Sequence, residues 1–102
     1  MKTFFGGVFI KDDTLSEEGI EYPIKLEYFR TIRDEENVEN KYGIQVVKTE
    51  YLNDNINIES KEAKDITNQE DRIDKLLDIL KKNEVTPIGL VDVLEDLNIS
   101  TL

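Results

Sequence analysis

Around Thr67 the spacing of apolar residues in this 102-residue chain changes from two to about 3.6, and no other feature restricts the fold as much. A period of two sends successive side chains to opposite faces of a strand, whereas a period of 3.6 gathers them into a stripe along a helix. A chain that alternates first and turns helical afterwards can bury its apolar groups by laying amphipathic helices on one face of an antiparallel sheet. The expectation is an α+β domain: an antiparallel meander of three or four strands over about residues 3–66, then two amphipathic C-terminal helices over about 68–97, packed on one face. A chain of 102 residues forms a single domain, because two separate cores would each be too small.

The strand region alternates in three places. YPIKLEYFRTIR, Tyr22 to Arg33, puts Tyr22, Ile24, Leu26, Tyr28 and Ile32 on one face and Lys25, Glu27, Thr31 and Arg33 on the other. Pro23 cannot donate to a ladder and belongs at the strand's start or on an edge. YGIQVVKTEYL alternates through Tyr42, Ile44 and Val46, and the residues Asn53 to Asn55 tolerate positive φ, so a hairpin returns the chain through INIESKEAKDI. Ile56 and Ile58 are expected on the buried face with Ile24, Leu26, Ile44 and Val46. Thr3 to Ile10, rich in aromatic and β-branched residues, makes a further strand with Gly6 and Gly7 marking a bulge. Without a small-residue cleavage site before Asp12 and Asp13, MKTFFGGVFI reads as that strand and not as a leader peptide. The polar segments Lys11 to Gly19 and Arg33 to Asn40 are connections, the first with Thr14 or Ser16 able to start a helical turn.

Thr67 and Glu70 have the spacing of a capping box, and Ile73, Leu76, Leu77 and Leu80 then form one apolar stripe. Asp71 with Lys75 and Asp78 with Lys82 are favourable i, i+4 pairs, and Lys81 and Lys82 complement the dipole at the helix end. A second helix starts with Thr86 as N-cap and Pro87 as its first residue. Leu90, Val93, Leu94 and Leu97 fill one side of it, with Asp92, Glu95 and Asp96 opposite. Gly89 is left unexplained, since Gly inside a helix costs roughly 1 kcal/mol relative to Ala. Close packing would account for it, and so would a surface left open for a partner.

Composition then removes most chemistries. The chain has no His, no Cys and no Trp, so the commonest general base, the thiol nucleophile and the usual soft metal ligands are missing. Ser16, Ser60 and Ser100 have no partner base in sequence and no nucleophile elbow. Thirteen Lys and Arg against 23 Asp and Glu leave a net charge of −10, which repels phosphate backbones and anionic membranes. The expectation is a non-enzymatic, cytoplasmic protein without cofactor or metal, without direct nucleic-acid or membrane binding, acting as an interaction or regulatory domain through a protein partner or a homo-oligomer.

Two alternatives stay open. Asp92, Glu95 and Asp96 share a helix face and could hold a divalent cation or serve a carboxylate-based enzyme, although a charged stripe opposite leucines is also what solubility requires. The acidic tract Asp34 to Glu39 could mimic a nucleic acid and enter a basic groove on another protein. For a partner-binding site the first choice is the last helix and its approach, Thr86, Leu90, Asp92 and Asp96. The second is Phe29, Val47 and Tyr51, which fall opposite the helix-bearing face among charged residues, unless the N-terminal segment with Phe4, Phe5 and Phe9 folds over them.

YGIQVVKTE, Tyr42 to Glu50, and VTPIGLVDVLEDL, Val85 to Leu97, resemble a family of small acidic proteins of unknown function from Gram-positive, spore-forming anaerobic bacteria. In that family a Tyr-Gly-Ile strand precedes a capped helix and a Val-Thr-Pro-Ile helix. The resemblance covers roughly the last two-thirds of the chain, and Thr86, Pro87, Ile88, Leu90 and Asp92 are its more specific part. It implies a bacterial cytoplasmic origin and transfers no activity. Members often carry His where this chain has Gly89, so any work done by that His is missing here.

Overall fold

Strands β1 (Lys2–Ile10), β2 (Ile24–Ile32), β3 (Tyr42–Tyr51) and β4 (Ile56–Thr67) lie side by side in chain order as one antiparallel sheet, followed by helices α1 (Glu70–Lys82) and α2 (Leu90–Asp96). The computed structural model describes residues 1–11, 22–33 and 40–99. The acidic tract Asp34 to Glu39, and Thr14 and Ser16 in the first connection, lie outside the described residues. The α+β architecture is as the change of period implies, with the N-terminal segment supplying a fourth strand.

One face of the sheet carries Ile24, Leu26 and Tyr28 from β2 and Ile44 and Val46 from β3, all buried against Ile73, Leu76, Leu77 and Leu80 of α1 and against Val85, Leu90 and Leu94. Phe5, Val8 and Ile10 of β1 extend this core at its rim. Two polar contacts tie the helices to it. The Tyr28 hydroxyl, buried beneath the interhelical turn, donates to the Val85 carbonyl at 2.9 Å, and the same burial pushes its phenol pKa up. Arg30, also on the helix side, reaches Glu70 at 2.9 Å and Asp74 at 3.3 Å and so fixes the start of α1 over the sheet. The Asn83 side-chain amide donates to the Ile79 carbonyl at 2.8 Å and closes the far end of α1.

Both ends of the sheet are bent by irregular pairing. In β1 the register shifts between Phe4 and Gly6, so Phe5 is the extra residue of a bulge and turns toward the helices. In β4, Tyr42 pairs with Thr67 but Ile44 pairs with Ala63, which leaves Lys64, Asp65 and Ile66 opposite Gly43 alone. Asp65 takes φ 59° there and accepts both contacts from one Arg33 nitrogen, at 2.8 and 2.9 Å.

Two expectations are corrected. Ile56 and Ile58 do not join the core: they pair with Tyr51 and Thr49 and lie on the opposite face. The cause is the hairpin. Leu52 and Asn55 exchange backbone hydrogen bonds around Asn53 and Asp54, and a two-residue loop of this kind sets every even-numbered residue of that part of β4 opposite an odd-numbered residue of β3. The capping box of Thr67 and Glu70 also does not form. Thr67 is held extended by Tyr42 and its hydroxyl accepts from the Gln69 amide at 3.1 Å, so α1 begins only at Glu70, with Gln69 in the capping position and no side-chain cap.

Candidate interaction surface

Both described helices cover the same face, and the other face of the sheet carries large side chains interleaved with polar ones. The pairing aligns it in rows across the four strands. Phe4, Phe29, Gln45 and Glu62 form one row, Gly7, Glu27, Val47 and Ser60 the next, and Phe9, Lys25, Thr49 and Ile58 a third, with Tyr51 and Ile56 beyond. Phe4, Phe9, Ile56 and Ile58 are 56%, 55%, 57% and 63% exposed, and Phe29, Val47 and Tyr51 are half-buried among them. Alternation within each strand explains the arrangement: residues that share parity with the core go inward, and those out of phase with it come here.

The aromatic residues gather at two corners. Phe4 meets the edge of Phe29 with ring centroids 5.6 Å apart, and the Lys2 ammonium lies over the Phe29 ring at 4.4 Å while donating to Gln45 at 3.1 Å. At the other corner Phe9 and Tyr51 are 6.2 Å apart. Lys25 hydrogen-bonds the Tyr51 hydroxyl and lies 3.5 Å from Glu27, which together raise its pKa above that of an ordinary lysine. In charge the face is unlike the whole molecule, its paired positions holding Lys2 and Lys25 against Glu27 and Glu62.

Phe29, Val47 and Tyr51 thus lie on one face, Phe29 and Tyr51 at its opposite corners, and Phe4 and Phe9 lie beside them in the same sheet instead of folding over them. Ile56 and Ile58 complete the surface, opposite to the core face that alternation alone assigns them. The signal for them was the spacing of the Asn53–Asp54 loop, whose parity assigns their face.

The last helix divides differently. Leu90 is fully buried, Asp92 and Asp96 are exposed, and Thr86 is half-buried with its hydroxyl accepting from the Gly89 amide at 3.3 Å. These four do not form one surface. The expected start is corrected: Pro87 to Gly89 make a turn that the Thr86 hydroxyl closes, and the helix starts at Leu90 with Gly89 in the capping position and no side-chain cap, so Thr86 is not its N-cap and Pro87 not its first residue. Asp92, Glu95 and Asp96 all face solvent, and among the described residues no group of three or more such ligands is placed to hold a metal ion.

Gly89 has φ −81° and ψ −8°, ordinary helical values, and a Cβ placed there would meet only Thr86 Oγ1 at 3.5 Å and Thr86 O at 3.8 Å. Neither close packing nor backbone geometry requires glycine. Gly89→Ala is therefore expected to stabilise the protein by about 0.5–1 kcal/mol, read as a higher urea midpoint, and a lower midpoint would show that the turn needs the freedom of glycine.

On the helix side, near the Phe9 corner, Glu50 is buried against polar neighbours. The Tyr22 hydroxyl and the Asn57 amide, the latter at 2.7 Å, hold its carboxyl below the usual range; burial opposes them, and Lys48 at 3.9 Å adds to the lowering. A carboxyl whose pKa is lower folded than unfolded contributes stability above its unfolded value of about 4.3, and that contribution disappears as pH falls through the folded value. Unfolding free energy should accordingly decline on acidification from about pH 5 downward, and Glu50→Gln should flatten that decline while weakening the protein at neutral pH by roughly 1–2 kcal/mol. Urea titrations of both proteins at several pH values check this, and parallel curves would refute it.

None of the described helices is long and apolar enough to cross a membrane. No curated protein and no solved structure matches the chain. A family model does match it, over residues 7–99, a span that takes in part of β1, the other three strands and both helices. On that match, which covers nearly all of the sheet and the whole helical layer, the chain belongs to the family of unknown function DUF6514.

Proposed function

We propose that this protein is a non-enzymatic interaction module that binds through the uncovered face of its sheet. The observation that carries this reading is the set of Phe4, Phe9, Ile56 and Ile58, each more than half exposed, on the same face as Phe29, Val47 and Tyr51. Scattered apolar residues on a surface need no explanation, but seven on one side of a sheet keep a patch in water at a standing cost, and such patches mark contact sites. Aromatic side chains suit this role because each offers a large rigid area for little conformational entropy. The absence of His and Cys from the chain supports a binding role over a catalytic one.

The test compares the native protein with Ile58→Glu, Phe9→Glu and a helix-side control, Asp92→Ala, each immobilised in a cell lysate. Proteins retained by the native chain and the control, and lost by both open-face variants, are the expected result. Equal retention by all four would place any contact elsewhere and reject the reading. The variants change exposed positions, so their circular dichroism and urea midpoints should stay close to native.

A further inference from the structure

We infer that the occupant of the open face is a second copy of this chain, the two sheets packing face to face about a two-fold axis. The inference rests on the reading of that face as a contact surface and adds the partner. Three features of the surface point to self-association.

The first is area. Four strands spaced about 4.8 Å apart, each with about nine residues rising about 3.4 Å, present a face on the order of 550 Å². Two such faces bury roughly 1,100 Å² together, which clears the ~1,000 Å² expected of a specific contact and falls short of the ~1,600 Å² of a standard one. An interface of that size is at the small end of specific contacts, so the dimer is expected to be a reversible one.

The second is local charge. The chain carries −10, yet the paired positions of the open face hold two lysines, Lys2 and Lys25, against Glu27 and Glu62. Two copies meeting here feel little repulsion at the contact itself and a long-range repulsion from the rest of each molecule.

The third is the order of residues along the rows. A two-fold axis parallel to the strands, between β2 and β3, lays β1 of one protomer over β4 of the other. The row Phe9, Lys25, Thr49, Ile58 then meets its own reverse, so Phe9 covers the partner's Ile58. In the row Phe4, Phe29, Gln45, Glu62, Phe4 meets the partner's Glu62, and Phe29, with the Lys2 ammonium over its ring, meets the partner's Gln45. The middle row lays Glu27 on the partner's Val47, so the apolar match of this isologous contact is made by Phe9 on Ile58, in the row that meets its own reverse.

The repulsion between two acidic bodies supplies the diagnostic. Screening shortens from a Debye length of about 30 Å at 0.01 M salt to about 3 Å at 1 M, while apolar burial persists. Dimerisation should therefore tighten with salt, whereas binding of a basic partner by this acidic protein should weaken. Sedimentation equilibrium of the full chain, from low to high micromolar concentration and at both salt extremes, reads the constant directly. The expected result is a monomer–dimer equilibrium at least tenfold tighter at high salt, abolished by Ile58→Glu and by Phe9→Glu and kept by Val91→Glu on the helix side. A chain that stays monomeric throughout, a dimer indifferent to both open-face variants, or one that weakens with salt overturns the inference. If the chain is monomeric but the lysate comparison still separates open-face variants from the control, only self-association falls and the binding face stands; if both measurements are negative, the face has no such role.

Discussion

Leu90→Ala is expected to lower the unfolding free energy by about 3 kcal/mol, within the 2–5 kcal/mol that removing a buried leucine side chain costs in a packed core. Leu90 is fully buried at the start of α2, in one core with Val85, Leu94, Leu80 and Tyr28. Truncation removes apolar contacts and leaves a cavity that the short helix can close only by shifting. Against a total of roughly 5–15 kcal/mol for a domain of this size, the loss is large. Urea unfolding with an unchanged slope and a lower midpoint would record it. Asp92→Ala and Asp96→Ala should stay within about 0.5 kcal/mol of native, because both side chains are exposed. A loss below about 1 kcal/mol at Leu90 would mean that α2 is not anchored as described. The contrast also defines what a change at Leu90 can report: an aspartate there would bury an unpaired charge, so any binding it abolished would be lost through unfolding.

Gly43→Ala is expected to cost a similar amount for a different reason. A Cβ at Gly43 would stand 2.5 Å from the Ala63 carbonyl oxygen, 2.6 Å from Thr31 Oγ1 and 3.1 Å from Lys64 Cα. Thr31 can rotate away, but the Ala63 oxygen is part of the backbone of β4 and moves only if the bulge opens. Opening it would pull Asp65 from Arg33 and disturb the pairing of Tyr42 with Thr67, the residue from which the chain turns toward α1. About 3 kcal/mol is expected, near the upper end of overpacking costs. For a chain of about 100 residues this lowers the melting temperature on the order of 15 °C, measurable by circular dichroism. A shift of only a few degrees would show that the β3–β4 bulge yields cheaply. Gly89→Ala, the same chemical change with free space around it, carries the opposite sign, so the pair separates steric crowding from the general effect of removing glycine.

Much of this architecture can be read from residue spacing. The alternation of Ile24, Leu26 and Tyr28 and of Ile44 and Val46 marks core-facing strand positions, and the stripe of Ile73, Leu76, Leu77 and Leu80 marks the covering helix. These patterns are local: each depends on the repeat of a single backbone conformation, and the core has only to accept them. Phe29, Val47 and Tyr51 were placed opposite the core by the same alternation.

What spacing could not supply was the relation of one strand to the next. Ile56 and Ile58 alternate as well as any core pair, and only the two-residue hairpin loop decides that they face away from the helices. FFGGVF is apolar in both phases, so the bulge at Phe5, formed by pairing with β2, is what sends Phe5 inward and Phe4 and Phe9 outward. Thr67 has the spacing of a capping box, yet its pairing with Tyr42 keeps it extended. The sequence by itself determined the element types, their order and the helix-facing half of the core, because periodicity is a property of one segment. The tertiary structure alone decided which aromatic and aliphatic side chains are left together on the open face, because register joins segments far apart in the chain and a shift of one residue exchanges the two faces of a strand.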